Sequence, residues 1–288
     1  MPRPFRQVDV FSPEPLAGNP LAVVHDAEGL AAEEMQRFAR WTNLSETAFL
    51  LPPTDPAADY RVRIFTLARE LPFAGHPTLG SCHAWLEAGG TPRRPDLVIQ
   101  ECPAGLVPVR LGGGGRADSS LAFAAPPVVR SGPVDEGDLA EVAAVLGIGR
   151  GEIVDAQWVD NGPGWMAVLL ADAEAVLALE PDFGRHPGGG TPEIGVVGFH
   201  RAGSECAYEV RAVLADERGG MIEDPVTGSL NASLAQWLLA AGRVRAPYVA
   251  AQGTRLGRKG RVRIEQDADG TVWVGGATVT RVRGEVEL

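Results

Sequence analysis

Apolar and polar residues alternate in short runs along most of this 288-residue chain, and helical spacing is the exception. Residues 6–11 alternate around Val8 and Val10 and predict a strand. Residues 21–24, 48–51 and 59–66 predict three more, and residues 97–100 and 106–111 predict a hairpin. Between them, Leu30, Met35, Phe38, Ala39 and Trp41 fall at roughly helical spacing and predict an amphipathic helix. The second half repeats the alternation. Strands are predicted over residues 153–159, 165–170, 194–200 and 207–214, and helices over 134–146 and 173–179. A hairpin over 261–264 and 271–274 and a separate last strand over 278–282 close the chain. Two segments, residues 81–86 and 230–239, carry no charge before their ends, which marks helices buried on all sides. Many strands and one buried helix per half predict an α+β architecture.

The two uncharged helices follow related sequences. His76-Pro77-Thr78-Leu79-Gly80-Ser81 matches Asp224-Pro225-Val226-Thr227-Gly228-Ser229, 148 positions apart. Tyr60-Arg61-Val62-Arg63 matches Tyr208-Glu209-Val210-Arg211 at the same offset, which predicts an internal duplication. Proline suits a first helical position, so His76 and Asp224 are read as equivalent N-caps. The free helix ends that follow are positive and suited to an anion. The glycine run at residues 112–115 predicts a domain boundary, giving domains 1–116 and 117–288.

Charge and composition narrow the function. A net charge of −11 argues against nucleic acid and acidic membrane surfaces as partners. Three scattered cysteines without a CxxC pattern suit reduced thiols in the cytoplasm. The N-terminus has no apolar signal core, and no run spans a bilayer. The histidines His25, His83, His186 and His200 lack metal-ligand spacing. No dinucleotide or P-loop motif indicates a nucleotide. Asp224 alone would most often be a cap and His76 a turn residue. An imidazole in one copy and a carboxylate in the other point instead to a division of labour. For Glu46, spacing alone favours an exposed or capping glutamate over a general base.

The motifs Gly18-Asn19-Pro20-Leu21-Ala22-Val23-Val24, Asn43-Leu44-Ser45-Glu46-Thr47, Glu70 to Gly80, and Glu223 to Ser229 resemble the phenazine biosynthesis PhzF-like proteins. The resemblance runs the length of the chain. It implies the diaminopimelate-epimerase-like fold: two pseudo-symmetric domains, each a β-barrel around a central helix, with the active site in the cleft between them. It leaves open that the final strand crosses to the first domain. It also implies a cofactor-independent isomerase, metal-free and homodimeric, that shifts a proton on a small carboxylate, cyclic ones included. Glu46 would be the acid/base, His76, Asp224 and Ser229 would complete the catalytic set, and Asn19, Ser45, Gly75 and Gly228 would line the substrate. Two-thiol racemisation does not fit, because neither motif carries a cysteine. Leu67, the run Ala212 to Ala215, and Leu230 depart from the family pattern and leave the substrate open. The alternatives are a non-catalytic small-acid-binding or interaction protein, and an epimerase of small amino or hydroxy acids.

Overall fold

The computed structural model describes residues 1–112, 120–183, 193–215 and 220–288. The strand β1 (Pro2–Val10) pairs antiparallel with β2 (Asn19–Val24), which runs parallel to β3 (Thr47–Leu51). Parallel neighbours need a crossover, and α1 (Ala32–Thr42) supplies it. Its buried Met35, Phe38 and Ala39 pack with Val24, Phe49 and Phe65. Next, β3 pairs with β4 (Tyr60–Phe65). The far end of β4 pairs with the short β5 (Glu70–Leu71), and its start pairs in parallel with β6 (Leu97–Cys102). A meander of β7 (Gly105–Leu111) and β8 (Ser120–Ala124) follows. The last strand, β17 (Val272–Glu287), pairs with both β8 and β1. Strands β1 to β4, β6 to β8 and β17 therefore close a barrel of eight, and closure removes exposed edges.

The helix α2 (Gly75–Glu87) fills that barrel and touches β1 to β4 and β6 to β8. This placement explains why no charge precedes Glu87. Close approach also explains Gly80: a Cβ there would come within 2.5 Å of the Leu21 side chain.

By internal contacts the chain divides into two compact units, Met1–Ala124 with Gly275–Leu288, and Ala125–Val274. The second repeats the strand order of the first. Its β9 (Arg130–Pro133) pairs with β10 (Asp155–Asp160), which pairs with β11 (Trp165–Leu169). Again the next neighbours, β11 and β12 (Glu193–Phe199), are parallel and joined through a helix, α4 (Ala173–Ala178). β13 (Tyr208–Ala215) pairs with β12, with β14 (Met221–Asp224) along its far end, and in parallel with β15 (Tyr248–Gln252) at its start. β16 (Gly260–Gln266) follows β15. The buried helix is α5 (Gly228–Ala240). An added helix, α3 (Glu136–Leu146), packs Leu139, Val142 and Leu146 against Met166, Val168 and Val196.

The duplication runs in two registers. Tyr60 and Tyr208 open β4 and β13, and Ile64 and Ala212 hold equivalent places 148 positions apart. Beyond the next connection the offset grows to 153. Ile64 pairs with Leu71 where Ala212 pairs with Asp224, and Phe65 pairs with Glu70 where Val213 pairs with Glu223. The ion pair Arg63–Glu70 recurs as Arg211–Glu223, each at 2.7 Å. The helices α2 and α5 begin at Gly75 and Gly228, also 153 apart. The second copy therefore has five extra residues between its fourth and fifth equivalent strands, β13 and β14, where the first has β4 and β5.

The equivalence of His76 and Asp224 is corrected by this register. Asp224 takes the place of Leu71, and Ser229 takes the place of His76. Neither His76 nor Asp224 is an N-cap: the caps are Ala74 and Thr227, His76 is the second residue of α2, and Asp224 ends β14. The predicted strands over 271–274 and 278–282 are one continuous strand, β17. Its Gly275 lies tight against β8, because a Cβ there would meet the Leu121 carbonyl at 2.4 Å. The predicted boundary between 116 and 117, His186 and the glycines at 188–190 lie outside the described residues.

Candidate active site

In the first unit the site begins with two local constraints. Asp9 accepts the Gly18 N–H at 2.9 Å, and a Cβ at Gly18 would sit 2.2 Å from the Val10 carbonyl. Glycine is required there, and it delivers Asn19, fully buried, as the first residue of β2. The helix α1 ends at Asn43 in a left-handed conformation (φ 56°), a turn that asparagine tolerates. The chain then passes exposed Ser45 and reaches Glu46, one residue before β3. Because Thr47 pairs with Ala22, Glu46 arrives beside the start of β2.

These constraints bring Asn19, Glu46, Gly75 and His76 together. The His76 Nε2 lies 3.5 Å from Glu46 Oε2, with the Glu46 side chain 17% exposed. Its Nδ1 lies 3.4 Å from the Asn19 side-chain amide, and the Pro20 carbonyl also faces the ring. Contact with the Asn19 amide favours Nδ1 as acceptor, whereas the Pro20 carbonyl favours a ring N–H donor; Nε2 and Glu46 Oε2 face each other without a formed hydrogen bond. Burial pushes the His76 imidazole down to about 3, so the ring is neutral at neutral pH in either tautomer. The first turn of α2 has no side-chain cap and no acidic residue.

The second unit builds a different group on the same plan. The α5 turn is held by Gln252, which is fully buried. Its Oε1 accepts from the Thr227 N–H (3.0 Å) and from Asn231 Nδ2 (2.7 Å). Its Nε2 donates to Thr227 Oγ1 (2.9 Å) and to the Asp224 carbonyl (3.2 Å). The Thr227 hydroxyl in turn donates to the Asp224 carboxylate. Asp224 is thus tied to the turn that starts α5, although it is not the cap. Gly228 is buried as the first helical residue, and Ser229 is the second. Trp165 Nε1 donates to Ser229 Oγ at 3.0 Å, and Asn161 Nδ2 donates to the Ser229 carbonyl at 2.9 Å. As in the other unit, α5 has no side-chain cap and no acid in its first turn.

Sequence reasoning missed Gln100, Gln252, Trp165 and Asn161. Gln252 left one signal, a single amide at the end of the run Tyr248–Gln252, whereas Gln100 sits beside Glu101 in β6 and left none. Gln100 also reaches the buried helix of its unit, donating to Thr78 Oγ1 at 2.9 Å and accepting from the Tyr60 hydroxyl at 2.8 Å, but in register it stands where the second unit has Ala250. Nothing in the sequence separates Trp165 from a core tryptophan, and its Ser229 partner is what reveals its place in the site. Among the described residues no group of three or more His, Cys, Asp or Glu is arranged to hold a metal ion. Within the basic stretch at 255–263, Arg255, Arg261 and Arg263 pair with Glu180, Glu205 and Glu265, which leaves their charge largely compensated.

Known proteins resemble this chain along nearly its whole length. The family described as phenazine biosynthesis-like protein, PhzC-PhzF, matches residues 8–284. The Schizosaccharomyces pombe protein named antisense-enhancing sequence 1 is 35% identical over 292 residues, covering 98% of this chain and 97% of its own. The trans-2,3-dihydro-3-hydroxyanthranilate isomerase of Pseudomonas aeruginosa is 35% identical over 263 residues, covering 88% and 87%. The crystal structure of a PhzF-family protein from Bacillus anthracis superposes with a TM-score of 0.83 over all of both chains, at 22% identity, and so shares the fold. The chain belongs to the phenazine biosynthesis-like PhzC-PhzF family and is an isomerase of that family.

Proposed function

We propose that this isomerase moves a proton between two carbons of a small unsaturated carboxylate, with Glu46 as the group that takes the proton and returns it. The observation that carries the reading is the Glu46–His76 pair, 3.5 Å apart, at the start of a buried, uncapped helix. A neutral imidazole leaves the carboxylate its charge and basicity while fixing its direction. In the first step the C–H bond breaks, its electron pair enters the substrate's conjugated system, and Glu46 becomes a carboxylic acid. In the second step Glu46 returns the proton to another carbon of that system. No electron leaves the substrate, and no co-reactant is consumed.

The anionic intermediate needs fixed dipoles. The proposal assigns the substrate's carboxylate to the N–H groups of Gly228 and Ser229 and to the Ser229 hydroxyl, supported by the unsatisfied donors that every helix start presents. Asp224 acts with Thr227 in shaping that turn. Asn19, Ser45 and Gly75 complete the lining. Cys82 supports one-base chemistry over a thiol route, since it is fully buried and burial pushes its thiol far up. A cytoplasmic homodimer is part of the same reading. Three unpaired, buried thiols support the compartment.

The substrate class is tested with trans-2,3-dihydro-3-hydroxyanthranilate, the compound for which relatives 35% and 32% identical are named. Incubated with the protein in D₂O and no additive, it should be converted to its isomer, with deuterium on carbon to the extent that the Glu46 carboxyl exchanges with solvent before it returns the proton. Recovery of unchanged, unlabelled compound would remove cyclic dihydro acids of this kind from the proposal.

A further inference from the structure

The two units use one device at the mouth of each buried helix. In each, an N–H-bearing side chain on the residue that opens the second strand meets the side chain of the second residue of the helix. Asn19 opens β2 and faces His76. Trp165 opens β11 and donates to Ser229. The geometry assigns to Trp165, helped by Asn161, a positioning role: it fixes the Ser229 hydroxyl as a hydrogen-bond donor to the carboxylate of a bound ligand. This rests on the reading that Ser229 meets that carboxylate.

The argument is one of proton direction. A serine hydroxyl has one hydrogen and two lone pairs, whereas an indole N–H can only donate. The 3.0 Å bond from Trp165 Nε1 therefore occupies a lone pair of Ser229 Oγ and turns the hydroxyl hydrogen away from the indole. Within a helix a serine hydrogen usually turns back to the carbonyl four residues earlier. Ser229 is the second residue of α5, so that carbonyl belongs to Pro225, outside the helix. Among the described residues the hydroxyl has no acceptor, and the hydrogen is left for a group outside the protein.

Asn161 holds the other end of the same residue. Its Nδ2 donates to the Ser229 carbonyl at 2.9 Å. Asn161 is itself anchored, because the Asp160 carboxylate accepts the N–H groups of Gly162 (2.7 Å) and Gly164 (2.6 Å) and folds the loop between β10 and β11. The indole is 3% exposed, so its direction is set by packing rather than by solvent. Ser229 is thus gripped at Oγ and at its carbonyl.

The test is binding, which needs no proton transfer and so stands apart from the role of Glu46. Dissociation constants for benzoate and 3-hydroxyanthranilate are measured by calorimetry with the parent, Trp165→Phe, Asn161→Ala, Ser229→Ala, and each of the first two combined with Ser229→Ala. Losing one directed hydrogen bond weakens binding about three- to tenfold. Trp165→Phe should do so, and it should add nothing once Ser229 is alanine, since the two act as one unit. Asn161→Ala should behave alike and carries the test if Trp165→Phe does not fold. A lesion that merely loosens the fold would weaken binding equally in both backgrounds. Losses that multiply in the double variants, or single variants that bind as tightly as the parent, would overturn the assignment. A parent that binds neither acid at millimolar concentration would also overturn it, while leaving the Glu46 reading to deuterium exchange.

Discussion

His76 shows how far surroundings can move one residue's chemistry. Burial lowers its imidazole from 6.5 to about 3, so the native protein keeps it neutral where the unfolded chain would protonate it. Between those two values the unfolded state binds the extra proton, and stability rises with pH. The stability from this group is fully present above pH 6.5 and is lost as pH falls towards 3. The limiting slope for one proton is about 1.4 kcal/mol per pH unit. Denaturant unfolding of the parent should therefore fall off more steeply across this window than that of His76→Gln, by up to that slope. Parallel curves would mean that His76 is protonated in the native state as readily as in the unfolded one.

At the level of elements, the repeated arginine–glutamate pair offers a controlled comparison. Arg63–Glu70 and Arg211–Glu223 join the same two strands at the same 2.7 Å distance, but their burial differs. The first pair is 26% and 30% exposed, the second 5% and 5%. Arg211 also donates to the carbonyls of Val176 and Leu179. Arg63→Met should cost roughly 0–1 kcal/mol. Arg211→Met leaves a buried carboxylate uncompensated and should cost about 3–5 kcal/mol. Equal losses in urea titrations would show that burial does not separate the two copies. This level is also where the sequence was partly legible. The two buried helices were readable because they lack charge, and the Tyr/Arg strand match was readable because both residues recur in register. The match of His76 with Asp224 misled, since a five-residue difference in a connection leaves no mark on a short motif. The short strands β8, β9 and β15 escaped for want of clear alternation. Trp165 could not be told from core packing, because nothing in a sequence reports where an indole N–H points.

The whole molecule depends on its final strand. The run from Gly275 onward belongs to the first unit, where β17 pairs with β1 from Pro2↔Glu287 to Val10↔Thr278. A chain ending at Val274 should lose the barrel around α2, leaving the amides of β1 unprotected in hydrogen exchange. Protected β1 amides in that truncation would mean that the barrel does not need its closing strand. Glu46→Gln keeps the size and polarity of the side chain and removes only its basicity. A positioned acid or base contributes about 10²–10⁴-fold to such a step. The most direct measurement is proton–deuterium exchange on a turned-over carboxylate in D₂O, parent against Glu46→Gln. The account predicts a loss of about 10²-fold or more, with the dissociation constant of the acid nearly unchanged. A variant that exchanges as fast as the parent would make Glu46 a bystander and contradict the account.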